Sequence, residues 1–189
     1  MSFWDDFTTW LRSLFGSSEE SEPIGQAPQP VTRKVTLIIF DPPVPGQGGQ
    51  ALSRVLGWND TTSLVNGYIA DLQASSHGYL NYQIVETIHS PTFPVKADGF
   101  LYDADAYLQC WQTGSGFHQP DMVDYPRILE DFNLVQKGNS GATDEVWLVA
   151  MPYAGFYESI MTGPGAFFCN APALTGTSAV RRFIIMGFT

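Results

Sequence analysis

The chain has 189 residues, 44% of them hydrophobic, with 5 Trp, 8 Tyr and 13 Phe, which excludes a disordered chain and a small fold stapled by metals or disulfides. Lys and Arg number 9 against 19 Asp and Glu, a net charge of −10. A surface of that sign repels phosphate backbones, and the only adjacent basic pairs, Arg33-Lys34 and Arg181-Arg182, each flank a strand-like run, so nucleic acid is not an expected partner.

The chain opens with Phe3, Trp4, Phe7, Trp10, Leu11, Leu14 and Phe15, spaced as one face of a helix over residues 1–15. Ser2 can cap it, Asp5 and Asp6 sit in the first turn, Arg12 lies in the last and Gly16 ends it. Residues 16–32 are rich in Ser, Glu and Pro and read as a flexible linker. An isolated helix this short is marginal in water, so its aromatic face needs cover. Three covers are open: its own domain, a protein partner or second copy, or a membrane surface. The polar face carries two acids and one base, which suits a membrane interface less well than a protein groove. No run approaches the ~20 apolar residues of a membrane span. The start lacks the positive region and cleavage site of a secretory signal, so the default expectation is a cytoplasmic chain.

From residue 33 the pattern changes. Lys34 to Phe40 is a near-continuous apolar run, as in a strand covered on both faces, and it stops at Asp41-Pro42-Pro43-Val44-Pro45. A helix follows, capped by Asn59, with Leu64, Val65, Tyr68, Ile69 and Leu72 on one face and His77-Gly78 at its end. Further strands are predicted over 79–88, 144–151 and 181–188, and helices over 103–112 and 125–136. Strands alternating with helices predict an α/β domain over 33–189, with a mostly parallel sheet of about four or more strands and flanking helices, Rossmann-like or flavodoxin-like. Thr189 follows the fourth strand directly. That strand is therefore expected at an edge, or under a neighbouring chain, or in the first part of a larger domain.

Ligands of parallel sheets collect beyond the carboxyl ends of the strands. Those ends deliver Asp41, then Glu86 and His89, then the stretch 152–159, followed by a long irregular loop over 161–172. Asp41 and Glu158 can serve as paired carboxylates for hydrolysis of carbohydrate or peptide bonds, with His118 assisting. The alternative is that Asp41 caps a turn beside proline and Glu158 caps or pairs with a helix. His89 and His118 with Asp121 or Asp124 have the donor types of a metal site, but their spacing is not diagnostic, and neither metal nor cofactor is expected. Cys169 can be read as a nucleophile with His89 or His118 as its base, or as a buried thiol beside Phe167-Phe168. Cys110 and Cys169 form no Cys-x-x-Cys pattern; a disulfide between them is the alternative for an exported chain, and the expectation is two buried structural thiols. Gly46-Gln47-Gly48-Gly49-Gln50-Ala51 formally matches a dinucleotide fingerprint, yet three prolines separate it from the strand it would have to follow tightly. No phosphate-binding loop, nucleophile elbow or zinc-protease motif occurs. Asn59-Asp60-Thr61 is a sequon better used as a helix cap.

Gly57-Trp58-Asn59-Asp60, Tyr82-Gln83-Ile84-Val85-Glu86, Phe93-Pro94-Val95-Lys96-Ala97-Asp98-Gly99-Phe100, Asp144-Glu145-Val146-Trp147, Gly155-Phe156-Tyr157-Glu158-Ser159, Gly163-Pro164-Gly165-Ala166-Phe167 and Arg182 to Phe188 together resemble a family of uncharacterised bacterial proteins, many secreted or cell-surface. The resemblance spans residues 34–188 and implies no activity. It also implies members that continue beyond the Met186-Gly187-Phe188 segment into a half rich in His and Glu. The expectation is a non-catalytic binding or scaffold module that docks on a larger assembly through residues 1–15, with a hydrolase using Asp41, Glu158 and His118 as the alternative.

Overall fold

The computed structural model describes residues 29–189. The aromatic helix expected over 1–15, with its partner-binding face, and residues 16–28 of the linker expected over 16–32 lie outside the described residues. β1 (Val31–Phe40) opens the domain, and Val31 and Thr32, read from the sequence as linker, already pair with Leu80 and Asn81. Val35 to Phe40 are all buried because alternate side chains enter cores on opposite faces, which is why the run lacks a polar alternation.

Beyond β1, β2 (Pro43–Val44) and β3 (Gln50–Ala51) form a short antiparallel hairpin turning through Gly48 and Gly49, both with positive φ. The glycine-rich stretch is therefore a hairpin rather than a grip on pyrophosphate. α1 (Leu52–Val55) and α2 (Thr61–Ser75) follow. The α2 cap is Asp60 rather than Asn59: its carboxylate accepts from Ser63 N at 2.8 Å, and Asn59 stands one residue too early to serve the third helical N–H. After β4 (Leu80–Ser90) come α3 (Ala104–Thr113), α4 (Tyr125–Asp131) and α5 (Leu134–Ser140). The single helix expected over 125–136 is two, because Asn133 adopts φ 52°, left-handed and incompatible with a continuous helix. β5 (Glu145–Val149), β6 (Ser159–Thr162) and β7 (Phe183–Phe188) complete the sheet.

The sheet is mixed, with five strands in the order β4-β1-β5-β7-β6. Four run parallel and β6 pairs antiparallel with β7. β6 lies where the sequence reads as loop, and it takes the edge, so β7, for which an edge was one expectation, is an internal strand between β5 and β6. Four residues bounded by Gly155 and Gly163 are too few to show a period of two.

One face of the sheet packs Ile38, Phe40, Leu148 and Ile185 under Ile128, Leu129 and Leu134 of α4 and α5. The other packs Val35, Leu37 and Ile39 with Trp147 under Val65 of α2. Trp147 is 1% exposed and lies among the rings of Tyr68, Tyr82 and Phe188 at 5.2–5.5 Å. Glu145 shares this layer and accepts from Tyr82 Oη and Trp147 Nε1, both at 3.2 Å. Burial pushes the Glu145 carboxyl up and lifts the Tyr82 phenol to about 12. A third cluster, with Val44, Leu52, Phe93, Tyr107 and Met151, forms beyond the carboxyl ends of β1, β4 and β5.

Cys110 and Cys169, expected to be buried, are half-buried free thiols. Phe167 and Phe168, beside Cys169 in sequence, stand 54% and 67% exposed, with the Arg182 guanidinium 5.5 Å from the Phe167 ring.

Candidate functional site

The chain leaves β1 through α2 to β4 on one side, then crosses by α4 and α5 to β5 on the other. Connections that part in this way open a crevice at the carboxyl ends of the strands. Here the crevice has two adjoining lobes. One, about 450 Å³, has apolar walls from Phe40, Leu64, Val149, Met151 and Phe188. The other, about 440 Å³, is the more polar of the two, with Arg54, Asp60 and His89. Asp41, Ser53, Trp58 and Asn59 line both. Volumes of this size suit a small organic ligand.

Asp41 reaches the crevice because it is the first residue past β1, where Pro42 and Pro43 turn the chain. Its Oδ1 accepts from Ser53 N at 2.9 Å and its Oδ2 from Ser53 Oγ at 2.6 Å. Held on both oxygens, the carboxylate is fixed in direction and fastens the start of α1 to the end of β1. His89 is exposed in the polar lobe, its backbone in register with Ile39 of β1. The fold thus brings Asp41 and His89 into one crevice.

The other candidates lie elsewhere. Glu158 precedes β6, and its carbonyl accepts from Gly187 N at 3.1 Å. Asp41 and Glu158 are therefore separated by three strand-to-strand steps, about 14 Å between backbones. The Glu158 carboxylate points to Asn170 rather than into either lobe. Glu86 accepts from Lys137 Nζ at 2.6 Å on the face covered by α5. Asp124 caps α4 through Arg127 N, and Asp121 pairs with Lys96. Among the described residues no three His, Cys, Asp or Glu side chains are grouped as metal ligands.

His118 lines neither lobe. Its ring stacks on Phe100 at 3.8 Å and its Nε2 lies 2.8 Å from Asp98 Oδ2, a partner that sequence spacing did not suggest. The hydrogen bond to His118, joined by one from Phe100 N, holds the Asp98 carboxyl below its ordinary value near 3.8. With the folded-state value depressed, the stabilisation from this pair is present above the unfolded-state value and is lost as pH falls through the lower folded one. An NMR titration of the carboxyl carbons is expected to give Asp98 a midpoint below 3.8, returning toward that value in His118→Ala. A midpoint of 3.8 or more in the wild type would mean the pair does not hold in solution.

Next to this pair, three loops meet on one buried lysine. Lys96 Nζ donates to Asp121 Oδ1 at 2.5 Å, Asp121 O at 2.8 Å and Tyr153 O at 2.6 Å. All three ammonium protons are used, and Lys96 is a structural tie. Sequence reasoning assigned no role to Ser53, Trp58, Asp98 or Lys96, although the last three lie in segments that carry the family resemblance. Their local signal of a role is only position, just past a strand end or at a loop beside aromatic residues. No family model matches the chain, and no curated protein or solved structure shows significant similarity to it.

Proposed function

We propose that the chain is a non-catalytic α/β binding module of flavodoxin-like plan, whose crevice between β1 and β5 holds a small ligand and whose residues 1–15 dock it on a larger assembly. One observation carries the reading: Asp41, the carboxylate at the centre of the crevice, is engaged on both oxygens by Ser53 instead of facing a second acid. A hydrolytic pair needs carboxyls roughly 5–9.5 Å apart with one free to transfer a proton, whereas a fixed carboxylate serves as a hydrogen-bond anchor. Kinship with the uncharacterised bacterial family that residues 34–188 resemble belongs to the proposal and adds no catalytic role.

The docking half is tested by light scattering after size exclusion on the full chain and on residues 31–189, cut at 31 because Val31 and Thr32 belong to the sheet. The fragment is expected to unfold cooperatively as a monomer while the full chain forms a defined assembly or retains a protein partner. Monomers from both would overturn the docking role. Loss of cooperative unfolding in the fragment would show that the N-terminal segment is part of the core. A hydrolase remains the second reading, favoured by the positioned Asp98–His118 pair. It predicts turnover of chromogenic glycosides or peptides that His118→Ala abolishes, and unchanged turnover in that variant would remove it.

A further inference from the structure

The crevice also constrains what it can hold. Its polar lobe mixes signs: Asp41 and Asp60 carry two negative charges against one positive charge on Arg54, with His89 beside them. A carboxylate or phosphate ligand would meet Asp41 at the centre, and an ammonium would share the polar lobe with Arg54. Neutral groups that both donate and accept avoid both conflicts, and the rim offers such groups a matching mixture in Ser53, Asn59 and Thr61.

Asp41 sets the polarity of the contact. A carboxylate offers about four acceptor sites, of which Ser53 occupies two, leaving about two for donors on a ligand. Both oxygens belong to one rigid plane already held in place, so two adjacent hydroxyls suit them better than one. Bonds to an ionised acceptor are the stronger kind, and a preset acceptor loses little freedom on binding. The second lobe supplies the complement. Trp58, edge-on to Trp111 at 5.7 Å, stands between the polar rim and the apolar wall of Leu64, Met151 and Phe188. A ring fits there, within reach of the polar rim next door.

The geometry points to a neutral polyol carrying an apolar ring, a glycoside or a nucleoside, as the ligand of this crevice, with Asp41 accepting two of its hydroxyl protons and the ring lying against Trp58. The assignment rests on the crevice being a binding site, and the test separates the two.

Phenyl β-D-glucopyranoside, adenosine, benzyl alcohol, benzylamine and benzoate are titrated into the full chain and followed by amide and indole resonances. The glucoside or adenosine is expected to shift Asp41, Ser53 and the Trp58 indole. Asp41→Asn, which retains an acceptor for Ser53 N, is expected to weaken that binding about tenfold or more. Binding of the glucoside alone identifies a sugar as the source of the hydroxyls, and of adenosine alone a nucleoside. Equal or tighter binding of benzoate, benzylamine or benzyl alcohol in the crevice would overturn the polyol assignment and leave the binding module standing. Failure of every probe to shift these resonances would overturn both. The panel on the wild-type chain decides the matter even if Asp41→Asn does not fold.

Discussion

Replacing Lys96 with Met is expected to destabilise the domain by about 3 kcal/mol. Methionine is close in length and apolar, so the cavity left is small, and the loss falls on the groups the ammonium served. Those are the Asp121 carboxylate and the carbonyls of Asp121 and Tyr153. An orphaned buried carbonyl costs about 1–3 kcal/mol, and the two left here are part-buried, which puts each toward the low end. Two effects limit the sum. Asp121 is 38% exposed and recovers water, and burial pushes the Lys96 ammonium pKa down, so its removal also relieves a desolvation cost. In urea, with a slope of about 2 kcal/mol/M, the midpoint should fall by about 1.5 M. A shift under about 0.3 M would mean that the three loops stay together without the lysine.

Gly155 belongs to the same tie. A Cβ there would lie 1.6 Å from Asp121 O and 2.9 Å from Lys96 Nζ, at a φ of 89° that L residues rarely adopt. Gly155→Ala must push away the carbonyl that Lys96 holds. Combined with Lys96→Met it is expected to cost less than the sum of the single changes, because both break one network. Strict additivity would show that the glycine acts apart from the lysine.

Trp147→Ala is expected to cost about 4 kcal/mol, in the range for deleting a fully buried large aromatic side chain. The indole fills the layer between β5 and α2, and its loss opens a void beside Tyr68, Tyr82 and Phe188. It also removes one of the two side-chain donors to Glu145, a carboxylate that burial already disfavours. Trp147→Phe separates the two effects: it keeps most of the volume and loses the N–H. That variant should recover more than half of the stability lost in Trp147→Ala, as read by thermal or urea unfolding. Equal losses in both would place the main effect on the Glu145 hydrogen bond instead of packing.

The four parallel strands were legible because their burial is written locally. Val35 to Phe40 and Val146 to Leu148 are apolar along the whole strand, as a two-sided core requires. The α2 helix showed its 3.6-residue spacing in Val65, Ile69 and Leu72, all of which pack on the sheet. Asp41 at a crevice was legible too, since the carboxyl end of a parallel strand beside proline is where ligands gather. The relation of Asp41 to Glu158 was not. Each looks like a carboxylate at a strand end, and only the order β1-β5-β7-β6 puts three steps between them.

The sequence by itself therefore determined the four parallel strands, the α2 helix and their order along the chain, but not β6 or the break at Asn133, because periodicity and turn residues act over a few neighbours. Tertiary structure alone decided that Ser53 takes both oxygens of Asp41, that Asp98 and not Glu158 attends His118, and that Lys96 joins loops as far apart as Asp121 and Tyr153. Those partners lie 12 to 57 residues apart in sequence. Their meeting depends on strand order and loop path, which no local pattern encodes. A polar side chain reads the same in sequence whether it ends as an anchor, a cap or a tie, and the donors that the fold sets against it make the difference.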